Sequence, residues 1–352
     1  MQYFVVNSLT VLISYKGKNV DESQCKVAMA KDGVVFNDVV KALQKISQYI
    51  HKTPVLTCSQ ADKRSGRNLY FKCEFQQKTG SFKARGALNA VLKAKERSAN
   101  CAGFVTHSSG NHGQALAWAS QVAGTPCYVV VPEMAPEVKK SAIRGYGAQL
   151  VQCGAQPQDR YDACDRLQQE LNLEFIPPYD HFDVIAGQGT ISLEFLDQVP
   201  SLDAILVPIS GGGLSSGIAI AAKAIKPDIK VYLVTPRGKK MEECLKTGRR
   251  PWHGPPQYLD TIADGIRLQQ TGHITTPILT ELAEKEVFEM DEEEIVLGMK
   301  FAFERMKVVI EAAAGASVAA AFSNKLKTMD PKMVNIGVIL CGGNVDINHL
   351  PW

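Results

Sequence analysis

Lys78-Thr79-Gly80-Ser81-Phe82-Lys83-Ala84-Arg85-Gly86 places a lysine just after Ser-Phe, at the mouth of a segment that reads as a helix. An ε-amine adds to a carbonyl only when burial or a neighbouring cation lowers its pKa, so a lysine set there is a candidate for Schiff-base chemistry. Most lysines are solvated surface charges, and Lys83 alone would carry little weight. Two further motifs change that: Thr106-His107-Ser108-Ser109-Gly110-Asn111-His112-Gly113-Gln114-Ala115 and Ser210-Gly211-Gly212-Gly213-Leu214. Together the three outline a phosphate-bearing cofactor held by lysine.

The glycine run has meaning because it follows an apolar strand, Ile205 to Val207, and opens a helix. Glycine lets the backbone approach a phosphate, and the helix N-terminus favours a dianion. The run is neither a GxGxxG fingerprint nor a GxxxxGK[ST] loop, and a tight turn that binds nothing is the plain alternative. Ser108 to His112 also precede a helix, at a strand end where open α/β sheets bind ligands; a carboxylate fits there. A cluster of N-cap residues is the competing reading, since Ser and Asn are preferred caps. Cys341, at the end of the last strong strand, reads as a small buried thiol or as a weak neutral hydrogen-bond partner for a heteroaromatic ring.

Outward from these motifs, short apolar runs such as Tyr128 to Val131, Ile205 to Val207 and Val334 to Leu340 alternate with Ala-rich helical stretches such as Gly113 to Val122 and Gly217 to Ile225. That alternation predicts an α/β fold of parallel sheet with helices on both faces. Asn37 is expected to cap a helix carrying Val39, Leu43, Ile46 and Ile50 inward, stopped at Thr53-Pro54. Thr247 to Pro256 reads as an irregular surface loop. At 352 residues the chain suits two domains at about 150 residues each.

A net charge of +3, from 39 basic and 36 acidic residues without charge blocks, gives no footprint for nucleic acid or an anionic membrane. Nine scattered cysteines, an odd number without a CxxC pair or zinc spacing, fit a reducing cytosol, and a cytoplasmic location is expected. Residues 1–33, which lack a basic leader region, read as a non-core N-terminal extension. No uncharged apolar run reaches 18 residues or more, the length expected of a membrane span.

Put in order, these motifs resemble the fold-type II pyridoxal-phosphate enzymes, and within them the serine racemase and serine/threonine dehydratase group. Phe71-Lys72-Cys73-Glu74, Val184 to Thr190, Thr261 to Gly265 and Gly342-Gly343-Asn344-Val345-Asp346 carry the resemblance beside the three motifs, over residues 34 to 350. It implies a fold like the tryptophan synthase β-subunit, two open parallel-sheet domains with the cofactor in the cleft. Residues 34–99 and 181–352 would form the large cofactor-binding domain, and 100–180 a small inserted one. Lys83 would carry pyridoxal 5′-phosphate as a Schiff base, with Phe82 beside it, Asn111 on the 3-oxygen and Ser210, Gly211, Gly212, Gly213 and Leu214 on the phosphate. Cys341 would face the pyridine nitrogen. Ser108, Asn111 and His112 would receive the substrate carboxylate, and Arg160 matches a substrate-binding arginine of the racemases. Ser109 would stand across the cofactor from Lys83, so that one removes the α-proton and the other returns it.

The implied activity is interconversion of L- and D-serine, with accompanying α,β-elimination to pyruvate and ammonia, in a homodimer. An L-serine/L-threonine dehydratase without racemisation and a non-catalytic pyridoxal-phosphate or amino-acid binding protein are the alternatives. Two stretches depart from the racemase pattern. Where a metal-binding Glu is usual, the chain reads Thr235-Pro236-Arg237-Gly238-Lys239-Lys240, and such basic surroundings repel the Mg or Ca that oxygen ligands would hold, so no metal ligands are assigned. Pro177-Pro178-Tyr179-Asp180-His181-Phe182-Asp183 lacks the Asn common near the nucleotide site, which speaks against ATP activation. It also lacks the serine cluster of invertebrate aspartate racemases, which speaks against an acidic substrate.

Overall fold

The computed structural model describes residues 33–352 apart from 99, 253, 255 and 256, so residues 1–32 of the expected extension and part of the expected 247–256 loop lie outside the described residues. Among the described residues there are ten strands: β1 (Val55–Leu56), β2 (Asn68–Lys72), β3 (Gly103–His107), β4 (Cys127–Pro132), β5 (Gln149–Cys153), β6 (Leu173–Phe175), β7 (Ala204–Pro208), β8 (Lys230–Pro236), β9 (Val287–Met290) and β10 (Asn335–Ile339). They form a six-stranded sheet in the order β1-β2-β10-β7-β8-β9 and a four-stranded sheet in the order β5-β4-β3-β6. All neighbours are parallel except β1 and β2. The antiparallel edge is a correction to the all-parallel expectation; β1 and β2 are consecutive strands joined through the short helix Ser59–Ser65, and an antiparallel pair needs no crossover to the opposite sheet end.

The strands are apolar on both faces because both faces are covered. Every residue of β7 is buried, and in the smaller sheet Phe104, Val129 and Val131 point into one core while Val105 and Val130 point into another. The first of these smaller-sheet cores also takes Ile46, Ile50 and the Ala84–Ala94 face of the helix Lys83–Arg97, residues from outside the 100–180 segment. That helix lies between the two sheets' cores, which is why nine of its first twelve residues are buried.

The first helix spans Phe36–Ile46 with Val35 as its N-cap, so Asn37 falls inside the first turn; the Asp38 carboxylate takes the Val35 amide at 3.0 Å in place of a cap from Asn37. Ile50 is buried from the turn that follows the helix. The C-terminal ends of β3, β7 and β10 lead directly into residues 108–112, 210–214 and 341–344, the topology by which an open parallel sheet gathers a ligand site. Among the described residues no helix is long and apolar enough to cross a membrane.

Candidate functional site

The segment before Lys83 is stitched to the end of β10. The Phe82 amide donates to the Cys341 carbonyl at 3.0 Å, the Gly343 amide donates to the Gly80 carbonyl at 2.9 Å, and Ser81 bridges Gly342. Thr79 has φ 60°, a left-handed conformation that costs a non-glycine residue about 1–3 kcal/mol. Asn344 holds it there, its Nδ2 donating to the Thr79 carbonyl at 2.8 Å. The next residue must be glycine: Gly80 also has positive φ, and a Cβ there would lie 2.6 Å from Asn344 Oδ1. This turn aims Lys83 into the cleft.

The Lys83 amine lies 5.1 Å from the Phe82 ring centroid and donates to the Pro178 carbonyl at 2.5 Å. Although part of the side chain faces the cleft, the amine is desolvated, and burial pulls its pKa down to about 8, with Cys341 and Glu311 opposing. At neutral pH a useful fraction is therefore the free amine, the form that attacks a carbonyl. Cys341 is buried, and burial followed by the nearby Glu311 carboxylate raises its thiol well above the ordinary value; it is a neutral group.

Between β7 and the helix Gly213–Ile225, Gly211 to Gly213 form a cradle. A Cβ on Gly211 would sit 2.3 Å from the Tyr179 ring, and one on Gly213 would sit 2.8 Å from the Tyr179 carbonyl oxygen. The first-turn amides of the following helix have no intrahelical acceptors and no side-chain cap, the condition under which a helix start takes an anion. Gly211→Ala is expected to force Tyr179 aside at a cost of about 1–3 kcal/mol and to weaken pyridoxal-phosphate binding in a cofactor titration.

The helix Asn111–Val122 begins at Gly110, with no side-chain cap. The N-cap alternative for Ser108 to Asn111 therefore does not account for these residues. Asn111 Nδ2 donates to both oxygens of Glu311, at 3.1 and 2.8 Å, and its Oδ1 accepts from Asn344 Nδ2 at 2.8 Å. His112 is buried, and burial with the nearby Lys83 charge lowers its pKa to about 3. The neutral ring donates from Nε2 to the Ile176 carbonyl at 2.9 Å, leaving Nδ1 a buried acceptor without a partner among the described residues. The side chain thus has no donor left for a carboxylate, and a carboxylate contact at His112 falls to its main-chain N–H.

Ser108 and Ser109 are half-buried at the end of β3, where the Gly110 amide donates to Ser108 Oγ at 3.3 Å. Arg160 reaches the same strand end. Burial and then the Arg160 charge lower the His107 pKa to about 4, and the His107 ring packs against Tyr161 at 4.5 Å and Phe175 at 5.4 Å. Arg160 Nε is buried without a hydrogen-bond partner among the described residues.

Sequence reasoning missed Glu311, a buried acid whose carboxyl is pushed up to about 7 by desolvation, against the Asn111 hydrogen bond. The signal was available: an acid directly preceding the wholly buried Ala-rich run of the helix Ala312–Phe322. Asn344, quoted only as part of a signature, ties Thr79 to Asn111. In the stretch expected to repel a cation, Lys239 is fully buried and donates to the Leu268 carbonyl, and burial lowers its pKa to about 7. Glu242 pairs with Lys246 at 2.6 Å.

These residues fit a phosphate-bearing pyridine aldehyde. The amine is desolvated, a neutral thiol lies beside it, three glycines leave the main chain bare where β7 passes into a helix, and the buried hydroxyls of Thr79 and Ser81 have no partners among the described residues. Comparison with known proteins agrees. Residues 46–342 match the family model described as pyridoxal-phosphate dependent enzyme. Human serine racemase is 46% identical over 328 residues, covering 91% of this chain and 94% of that protein. A crystal structure of a pyridoxal 5′-phosphate-dependent aspartate racemase superposes with TM-score 0.88 at 54% identity, covering 91% of this chain and 98% of that one. The serine racemase structure from Dictyostelium discoideum gives TM-score 0.83 at 45% identity, covering 89% and 99%. With most of its length inside that family model and nearly all of it aligned to such relatives, the chain belongs to the pyridoxal-phosphate dependent enzymes of fold type II.

Proposed function

We propose that the protein is a serine racemase that also converts serine to pyruvate and ammonia. The observation that carries the reading is the desolvated Lys83 amine, with a pKa of about 8, set beside a neutral Cys341 and bonded to Pro178, whose neighbour Tyr179 packs on Gly211 to Gly213. Bound pyridoxal phosphate would supply the electron sink that acidifies the substrate Cα–H. Lys83 holds the cofactor and takes the α-proton at Nζ on one face; Ser109 Oγ returns a proton on the other. Main-chain donors at Ser108 to His112 would hold the substrate carboxylate, and Cys341, a neutral thiol, would leave the nitrogen of a pyridine ring set against it largely unprotonated. Loss of the β-hydroxyl in place of reprotonation gives pyruvate and ammonia after hydrolysis, so both products are expected from one active site. A cytoplasmic location is supported by the cysteines, all free among the described residues; a homodimer rests on the family resemblance alone.

Ser109→Ala tests the division of labour. D-serine formation is expected to fall by about 10²–10⁴-fold, the usual worth of a positioned acid or base, while pyruvate formation persists. Equal loss of both products would remove Ser109 from its role.

The 54% identity to an aspartate racemase favours a second reading, an acidic amino-acid substrate. Arg160, with its buried and unpartnered Nε at the β3 end, is a group that a side-chain carboxylate could meet. The substituted 177–183 loop favours serine.

A further inference from the structure

Pro178, Tyr179 and Asp180 are three consecutive residues that touch three different parts of the site. Pro178 accepts the Lys83 amine at 2.5 Å, and the Tyr179 ring lies over Gly211. Asp180 grips the start of the helix Thr275–Leu282: its Oδ2 accepts from the His273 amide at 2.8 Å, and its Oδ1 accepts from the Ile274 and Thr275 amides at 2.9 and 3.3 Å. The approach is so close that a Cβ on Gly272 would lie 2.0 Å from Asp180 Oδ1. No basic side chain among the described residues forms an ion pair with Asp180; its charge is met by main-chain N–H groups at a helix start, where an anion is favoured.

That helix start in turn clamps the cradle. Thr275 Oγ1 donates to the Gly211 carbonyl at 2.6 Å, and the Gly272 amide donates to the same oxygen at 3.0 Å. Both bonds end on one oxygen and so fix the orientation of the Gly211–Gly212 peptide. A closed circuit results, running from Lys83 to Pro178, through Asp180 to residues 273–275, and back through Gly211 to Tyr179.

We propose that Asp180 is a positioning residue for the phosphate-binding loop, fixing Gly211 to Leu214 by way of residues 272–275 and linking their order to the placement of Lys83. The proposal deepens the pyridoxal-phosphate reading and rests on it for the nature of the ligand. It does not give Asp180 contact with the reacting atoms. The carboxylate geometry is specific: an amide of the same shape keeps one acceptor oxygen and turns an N–H₂ toward one of the three donors, so Asp180→Asn keeps part of the grip and Asp180→Ala none.

The test compares the parent, Asp180→Asn and Asp180→Ala by two readouts. Amide hydrogen exchange is measured on the cofactor-free protein, so it reports the coupling even where the cofactor reading fails; release of pyridoxal phosphate from the loaded enzyme is followed by its absorbance. Asp180→Ala is expected to speed exchange at Gly211 to Leu214 and cofactor release each by about tenfold, the scale of losing a helix-end cap. Asp180→Asn should fall between it and the parent in both readouts. Should Asp180→Ala not accumulate, the isosteric Asp180→Asn carries the test alone. Faster exchange confined to residues 272–276, with Gly211 to Leu214 and cofactor release as in the parent, would overturn the proposal and leave Asp180 a helix cap only.

Discussion

Lys83→Ala is expected to abolish D-serine and pyruvate formation together, by about a thousandfold or more, and to eliminate covalent uptake of pyridoxal phosphate while leaving the protein folded. Both products vanish because both begin with the same proton leaving Cα for the same amine. The fold should survive, since among the described residues the amine's hydrogen bond is to the Pro178 carbonyl and its burial is itself a cost. The pH dependence carries its own signature. Attachment of cofactor to the apo-protein should quicken as pH rises through about 8, where the buried amine sheds its proton. Linkage gives the sign for stability. In the unfolded chain Lys83 keeps its proton up to the ordinary value of 10.5, so between about 8 and 10.5 the unfolded state binds more protons and this group's share of stability grows with pH. It is fully present above that window and lost on descending through about 8. Unfolding curves of parent and Lys83→Ala apo-protein across the window should differ by that slope.

Arg85→Met is expected to be the most destabilising single change near the site, at about 3–5 kcal/mol out of a total of about 5–15. Arg85 is wholly buried two residues beyond Lys83, and its guanidinium meets two carboxylates with paired bonds: Nε and Nη2 donate to Glu74 at 2.8 Å each, and Nη1 and Nη2 donate to Glu194 at 2.7 and 2.9 Å. Lys72, also fully buried, donates to Glu194 at 2.8 Å and so balances the second acid. Removing the guanidinium leaves two carboxylates in the interior with one ammonium between them, a far larger penalty than the pairs contribute net. Arg85→Lys should rescue little, because a point charge on a flexible stem cannot bridge both acids in the plane of the fork. Denaturant midpoints of the three proteins decide this; equal midpoints would mean that water or rearranged side chains satisfy Glu74 and Glu194.

Much of this architecture was legible along the chain because parallel strands buried on two faces, such as Ala204–Pro208, are apolar throughout, and because glycine runs mark the places where backbone must come close. What escaped depends on partners far away in sequence. Arg85 and Asn89, both polar, are buried on the helix Lys83–Arg97: Glu74 and Glu194 meet the guanidinium, and the Asp183 carbonyl accepts from Asn89 Nδ2. Glu311 meets Asn111 across 200 positions, and Asn344 meets Thr79 across 265. Nothing local in those stretches announces the contact. Helix boundaries slipped for a different reason: at Phe36–Ile46 the main-chain cap falls at Val35 because Asp38 reaches back to it, making Asn37 dispensable as a cap. His112 shows the same limit within the site, its ring committed to the Ile176 carbonyl by a strand that only the folded sheet brings near.

The central claim is best tested by supplying the pyridoxal-phosphate-loaded protein with L-serine and L-aspartate in separate reactions and quantifying both D-enantiomers and pyruvate. The account predicts D-serine and pyruvate together from L-serine, with a higher kcat/KM than for any D-aspartate formed. D-aspartate from L-aspartate with no D-serine from L-serine would contradict it and favour the acidic substrate.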